Sequence, residues 1–294
     1  MELDFTPRIR HLQIVTKGYV SSAMVGNYRS VFKGRGLEFD GYRAYSQGVD
    51  DAEKIDWKAS QRANQLLVRE FVEERNVEVF FLQDVCSSML FGSLEKLKHE
   101  YAAEFTASLA YTILAAGDSA GLGLYSDSIV SKTPPAVGGG QYYLILKALS
   151  NPAHYGGGKN FADALKFLNS FLKTPGALVF VVSDFIGMSG SWVNYLRLAA
   201  RKFDVIGVMV LDPRDRELPS AAGRIFVEDA LSGRQMLVDA RAVADDYARA
   251  AKAREAAVRE TFLQSGCDFV TLYTDRSFVA PVMRLFEMRR KRWR

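Results

Sequence analysis

Short apolar runs alternate along most of the chain with longer stretches in which apolar residues recur at helical spacing. The runs are rich in β-branched and aromatic residues, and several show no alternation of apolar and polar positions. That pattern is typical of strands covered by helices on both faces of a parallel sheet. The predicted strands are 77–83, 120–125, 177–183, 204–211 and 268–273.

Helices are predicted between these strands. The first should begin after a cap at Ser93, and an apolar stripe within it should face the core. The predicted helices span 94–116, 141–150, 161–173, 191–202, 241–264 and 278–292. The alternation indicates an α/β fold with a doubly wound, mostly parallel sheet.

Three smaller features complete this pattern. Residues 129–132 should pair with the strand at 120–125, and the prolines and glycines of 134–140 should form a loop. Residues 225–228 and 235–238 read as a hairpin at the sheet edge.

Residues 1–76 follow a different pattern. Strand-like pieces near 8–20 and 64–73 lie between loops rich in charge and glycine. We therefore expect an attached, β-rich lobe over 1–76, joined to an α/β domain over 77–294.

Composition limits the class of protein. The 294 residues include only two cysteines, outside any CxxC pair, which argues against a disulfide framework or a structural zinc site. The first residues are not those of a signal peptide, and the apolar runs are too short to span a bilayer, so we expect a cytoplasmic protein.

The net charge of +4 owes much to a basic tail. Residues 289–294 suit the solvated end of a final helix, where cations complement the helix dipole. The alternative is weak contact with an acidic partner or an anionic membrane surface. No motif for nucleic acid accompanies the tail.

Carboxylates follow two of the predicted strands. Asp84 ends the strand at 77–83, and Asp184 ends the strand at 177–183. Because ligands of doubly wound sheets bind beyond the carboxyl ends of the strands, we expect these acids to lie close together.

The segment Asp84-Val-Cys86-Ser-Ser88 resembles the DxSxS motif of von Willebrand A domains. The resemblance implies a metal-ion-dependent adhesion site, in which hard oxygen ligands hold magnesium. Asp84, Ser88 and Asp184 match its ligands, but Cys86 replaces a serine, and a thiol is a poor magnesium ligand. A Gly-rich loop ending in Lys159-Asn160 places Lys159 where the family has a threonine. We expect Lys159, Cys86 and Asn160 to bind a partner or to replace the metal.

Lys159 leaves three possibilities open. Its ammonium could lie between the aspartates and replace the metal, or it could point to solvent beside a relict site. Magnesium could also remain bound through Asp84, Ser88 and Asp184. We expect no tight magnesium site and no other cofactor, because an ammonium beside two carboxylates repels a divalent cation.

A long motif precedes the first buried strand and joins glycines, opposite charges and aromatics. Its members are Gly36, Glu38, Phe39, Arg43, Tyr45, Asp50, Asp51, Asp56, Trp57 and Arg62. The pattern closely resembles the hallmark of the bacterial family named as domain of unknown function 58, which lies ahead of a von Willebrand A-like domain. We expect it to form a salt-bridge network that docks the lobe on the α/β domain, with Trp57 buried there, and favour this over a ligand pocket.

This resemblance also implies a function. Members of that family resemble proteins encoded beside a MoxR-type AAA+ ATPase and thought to act in assembly or maturation of protein complexes. We therefore expect a non-catalytic adaptor between such an ATPase and a client protein. The alternative is a metal-dependent hydrolase using Asp84 and Asp184. Cys86 could serve as a nucleophile only with a base, and no motif links the three histidines to it.

Overall fold

The computed structural model describes residues 6–20, 24–26, 28, 38–46, 50–72, 76–188, 191–219, 221 and 223–292. Its centre is a six-stranded sheet in which strands that are distant in the chain lie side by side. The strands, in spatial order, are β10 (Asp268–Tyr273), β7 (Asp204–Leu211), β6 (Leu178–Ser183), β3 (Glu78–Asp84), β4 (Ser119–Tyr125) and β5 (Ile129–Ala136).

All neighbouring strands are parallel except β5, which runs antiparallel to β4 at one edge. From β3 the chain first adds β4 and β5 on one side of the sheet. It then returns to the other side of β3 and adds β6, β7 and β10 there. The direction therefore reverses between β3 and β6, and this is where doubly wound sheets bind their ligands. The predicted fold is confirmed.

Helices cover both faces of the sheet. In chain order they are α1 (Thr6–Tyr19), α2 (Trp57–Ala63), α3 (Lys98–Ala115), α4 (Gly139–Ser150), α5 (Phe161–Phe171), α6 (Trp192–Lys202), α7 (Ala240–Gln264) and α8 (Val279–Arg292). Residues of α1, α3, α4 and α8 share one apolar core, and residues of α5, α6 and α7 share the other. None of the helices that the structure describes is long and apolar enough to cross a bilayer.

Three predicted details are wrong. The prolines at 134 and 135 lie within β5, where an edge strand tolerates the loss of backbone donors. The predicted hairpin is present as β8 (Arg224–Glu228) and β9 (Gln235–Asp239), but it forms a two-stranded sheet of its own and is not paired to the edge of the six-stranded sheet. Ser93 does not cap α3, since its backbone N–H and hydroxyl bond Asp212 and the helix begins at Lys98.

The predicted strand near 8–20 is also wrong, because these residues form helix α1. Ile9 and Leu12 join the core shared with α3 and α4, and the Thr16 and Tyr142 hydroxyls share a hydrogen bond of 2.8 Å. Apolar residues at helical spacing in this stretch made either interpretation possible. The expected strand near 64–73 is present as β2 (Leu67–Val72), which pairs antiparallel with β1 (Glu38–Ala44).

The charged residues of the long motif make contacts within the N-terminal lobe. Arg43 forms an ion pair with Asp50. Asp56 caps α2 by accepting hydrogen bonds from the backbone of Lys58 and Ala59, and Tyr42 donates its hydroxyl to the same carboxylate. Asp51 accepts a hydrogen bond from the backbone of Glu53 in a short turn.

Trp57 does not dock the lobe. Its side chain is 64% exposed at the start of α2, so the expected burial is wrong. Arg62 is also exposed, and Tyr45 is half-buried. Gly36 lies outside the described residues, as do the side chains of Glu38 and Phe39.

The basic tail is only partly solvated. The Arg289 side chain is 3% exposed and pairs with Asp204 and Asp268, the first residues of β7 and β10. Arg292 also contacts Asp268, at 3.0 Å. These pairs hold α8 against the amino ends of the two strands.

Candidate functional site

Asp84 and Asp184 lie side by side at the carboxyl edge of the sheet. Asp84 is the last residue of β3, and Asp184 directly follows β6. The two strands are parallel neighbours in which Gln83 is paired with Val182, so their ends coincide. Both carboxylates are fully buried.

The ammonium of Lys159 lies between the two carboxylates. Its nitrogen is 2.9 Å from Asp84 Oδ2 and 2.5 Å from Asp184 Oδ1. The Lys159 side chain is 1% exposed, so the alternative in which it points to solvent is wrong. The contact expected from the sequence is therefore present.

A tight loop delivers Lys159 to this position. Gly156 donates its backbone N–H to Val85 at 2.8 Å, and Ser87 donates to the carbonyl of Gly157 at 2.9 Å. Both glycines have positive φ, 117° and 85°, which residues with a side chain rarely adopt. Asn160 then caps α5 by accepting a hydrogen bond from Asp163 N, so its side chain serves the helix.

A second buried ammonium, that of Lys98, was not anticipated from the sequence. It lies 2.9 Å from Asp184 Oδ2 and 3.0 Å from Asp215 Oδ2, with 1% of its side chain exposed. Lys98 opens α3, where the helix dipole disfavours a cation, so the two carboxylates must outweigh that cost. A lysine in the first turn of a helix is usually solvated, and no pattern linked it to Asp215.

Hydroxyl and backbone donors add further hydrogen bonds to the two aspartates. Ser183 donates its hydroxyl to Asp84 Oδ2 at 2.6 Å, and the Cys86 backbone N–H donates to Asp84 Oδ1 at 2.9 Å. The Ile186 backbone N–H donates to Asp184 Oδ1 at 2.9 Å. Buried charges of this kind persist in proteins only when they are paired and hydrogen-bonded.

The five charged side chains form one chain of contacts: Asp84, Lys159, Asp184, Lys98 and Asp215. Burial alone would raise the pKa of Asp184, but the ammoniums of Lys159 and Lys98 outweigh it and hold that pKa well below its usual range. Burial lowers the pKa of Lys159, and the charges of Asp84 and Asp184 more than reverse this, so it is raised. These pKa shifts keep Asp184, Lys159 and Lys98 charged at neutral pH.

The residues present do not fit a divalent cation. The Lys159 ammonium already contacts both aspartates that would hold the metal. Burial, followed by the charge of Asp84, raises the pKa of the Cys86 thiol to about 12, so it stays protonated. The thiol also lies 3.2 Å from the Ser88 hydroxyl, the third candidate ligand. Nowhere in the described ranges do three His, Cys, Asp or Glu side chains cluster in a way that could hold a metal.

Apolar side chains are exposed on the loop that leads from this cluster to α3. Leu90, Phe91 and Leu94 are each about 40–50% exposed, although they follow the buried motif at 84–88 directly. The ring centroid of Phe91 lies 5.6 Å from Lys98 Nζ. The loop thus joins an apolar surface to the buried charges.

Comparisons with known proteins identify a family and several relatives of this chain. A family model described as "Protein of unknown function DUF58" matches residues 41–257. The uncharacterized protein Rv1480 of Mycobacterium tuberculosis is 29% identical over 289 residues, covering 96% of this chain and 89% of that protein. The uncharacterized protein MAV169 of Mycobacterium avium is 38% identical over 113 residues, covering 38% of this chain and 65% of that protein.

A solved structure supports the fold. The aerotolerance-related membrane protein from Bacteroides fragilis superposes with a TM-score of 0.51 at 15% identity, covering 74% of this chain and 99% of that one. At this identity the likeness concerns the fold alone. It agrees with a mostly parallel sheet that carries helices on both faces.

Proposed function

The chain belongs to the DUF58 family of proteins of unknown function, whose model matches residues 41–257, and from this membership we propose that it is a non-catalytic protein-interaction module. Its binding face is the carboxyl edge of the sheet, around the loops that carry Asp84, Lys159 and Asp184. The proposed compartment is the cytoplasm.

One observation carries this proposal: the Lys159 ammonium lies between the two aspartates of the von Willebrand A-like site. An internal cation there neutralises the carboxylates without a metal. The face is thus pre-assembled, and its shape does not depend on an ion. A partner's carboxylate has no metal to coordinate, so recognition must use the surface around the cluster.

That surface is the apolar loop of Leu90, Phe91 and Leu94. Exposed apolar side chains beside a hydrogen-bonded cluster of buried charges suit a protein contact, because their burial is favourable. Because more than half of each side chain is already covered, burying the exposed remainder of one contributes about 1 kcal/mol.

We propose a MoxR-type AAA+ ATPase as the partner, with the chain acting as an adaptor to a client protein. The support for this pairing is the family resemblance of the long N-terminal motif. The adaptor role fits a face that binds without turnover.

The test is co-purification of the tagged protein from native cells under mild conditions, read by mass spectrometry. We expect an AAA+ ATPase with the wild type and at least about tenfold less with Phe91→Ser/Leu94→Ser. Phe226→Ser is the matched control, because Phe226 is equally apolar and more exposed, but lies on β8. If no ATPase is recovered, or if the control loses it equally, the proposal fails.

The alternative of a metal-dependent hydrolase has weaker support. Both aspartates are buried and hold ammoniums, so neither is free to activate water or bind a metal. Magnesium-dependent turnover of a phosphoester that is abolished by Asp84→Asn would replace the adaptor proposal with this one.

A further inference from the structure

Helices α5 and α6 lie side by side on one face of the sheet and share that face's core through Leu165, Leu168 and Leu196. The N–H of the Asn169 side chain also donates to the Tyr195 carbonyl across the pair. Their outer sides are therefore held in fixed relative positions. Both helices start near the candidate site, since α5 follows Lys159 and α6 follows the loop after Asp184.

Charge on this pair of helices is strongly one-sided. Residues 161–202 contain five cations but only two acids, Asp163 and the buried Asp184. Asp163 pairs with Lys166 at 2.7 Å, and Lys202 donates to the carbonyls of Asn169 and Leu172 at the end of α5. The remaining cations are Lys173, Arg197 and Arg201.

Arg197 and Arg201 are one helical turn apart on the exposed side of α6. In the described part of the chain neither has an ion pair. Like charges at this spacing repel each other and destabilise a helix. An external anion that contacts both would remove this repulsion.

A shallow groove of about 440 Å³ runs along the same surface and is lined by Ser191, Asn194, Tyr195, Arg197, Leu198 and Arg201. Leu198 is 52% exposed between the two arginines. The Lys166 ammonium lies 5.0 Å from the centroid of the Tyr195 ring beside the groove, and Asp163 offsets its charge there. Hydroxyl and amide groups are also present to complete hydrogen bonds to a bound carboxylate.

We propose that this basic face, formed by Lys166, Tyr195, Arg197, Leu198 and Arg201, docks an acidic helical segment of a partner protein. Two carboxylates one turn apart on that segment would match the spacing of the arginines, about 5–6 Å. Each guanidinium can bind a carboxylate with two parallel hydrogen bonds, and Leu198 supplies the apolar contact between them. Arginine and tyrosine are also the side chains that protein interfaces favour.

An anionic membrane is a less suitable occupant. A helix that lies on a bilayer inserts a continuous apolar side, whereas the outer side of α6 offers Leu198 flanked by charge. The basic face therefore favours paired carboxylates over a lipid surface. It does not depend on the function proposed above for the edge of the sheet.

The test is fluorescence anisotropy with a labelled alanine-based helical peptide carrying a leucine and two glutamates one turn apart. A second peptide has glutamine at both glutamate positions. We expect binding of the glutamate peptide, and at least about tenfold weaker binding to Arg197→Gln/Arg201→Gln. The matched control is Arg259→Gln/Arg284→Gln, which removes the same charge from exposed positions of α7 and α8 and should change affinity by less than about twofold.

A charge-swap variant tests the same contact when the affinity of the wild type for the glutamate peptide is low. Arg197→Glu/Arg201→Glu should bind a peptide with lysines in place of the glutamates, and circular dichroism should show the same helix content as the wild type. Equal binding of the glutamate and glutamine peptides would overturn the proposal. So would equal losses in the test and control variants, or flotation with phosphatidylserine vesicles that requires Arg197 and Arg201 while the peptide does not bind.

Discussion

Lys98 and Lys159 hold opposite oxygens of one carboxylate. The Lys98 nitrogen lies 2.9 Å from Asp184 Oδ2, and the Lys159 nitrogen lies 2.5 Å from Asp184 Oδ1. Through Asp84 and Asp215 the same contacts tie the ends of β3, β6 and β7 to the starts of α3 and α5. The proposed binding face therefore rests on an internal salt-bridge chain.

Replacing Lys159 should be costly. Lys159→Met keeps much of the side-chain volume but leaves Asp84 without a cation and Asp184 with only one, so we expect a loss of about 3–5 kcal/mol in the free energy of unfolding. Urea unfolding at neutral pH measures it. Lys166→Met is the control, because its exposed pair with Asp163 is screened by solvent and should contribute little to the free energy of unfolding. Equal effects in the two variants would contradict a buried role for Lys159.

Acid should weaken the fold through Asp184. Its pKa is held below the usual value, near 3.9, so the ionised carboxylate stabilises the folded state above that value. This contribution is lost as the pH falls from about 5 towards the depressed pKa. We expect steady urea midpoints between about pH 6 and 8, a decline below about pH 4.5, and a shallower decline in Asp184→Asn. Parallel acid profiles for the two proteins would exclude this source of pH dependence.

The two thiols should be unreactive in the folded protein. Burial raises the pKa of both Cys86 and Cys267 to about 12, so little thiolate exists at pH 8. We expect Ellman's reagent to modify neither cysteine before unfolding and both in guanidinium chloride. Rapid labelling of native Cys86, identified by mass spectrometry, would show that the thiol is accessible. That result would support a role for Cys86 as a nucleophile.

Arg289 should stabilise the far end of the sheet. Arg289→Met removes the cation shared by Asp204 and Asp268, which we expect to cost about 2–3 kcal/mol because Asp204 is one-third exposed. Thermal unfolding measures this. Arg284→Met, at an exposed position of the same helix, should leave the melting temperature nearly unchanged. If the tail were solvated, the two variants would instead have similar melting temperatures.

Much of the fold was predictable because strands buried on both faces are continuous apolar runs. Strands β7 and β10 match their predicted bounds, and the parallel order placed Asp84 beside Asp184. The position of Lys159 beside the aspartates was also predictable, since Lys159 stands where the von Willebrand A motif has a threonine hydroxyl. These inferences depend on local patterns and on the geometry of parallel sheets.

The missed features depend on contacts between distant segments. Nothing near Lys98 in the sequence indicates that Asp184 and Asp215 will bury it. Residues 8–20 suit a strand or a helix, and packing against α3 and α4 decides the outcome. Trp57 is exposed because Asp56 caps α2, which makes Trp57 the first residue of that helix. The sequence pattern alone does not show whether this position is buried.

The central claim, that Lys159 replaces a metal, is tested most directly by isothermal titration with magnesium. The wild type should give no binding heat. Cys86→Ser/Lys159→Thr, which restores hydroxyls beside Asp84, Ser88 and Asp184, should acquire a magnesium site. Micromolar magnesium binding by the wild type that is abolished by Asp84→Ala would contradict the claim.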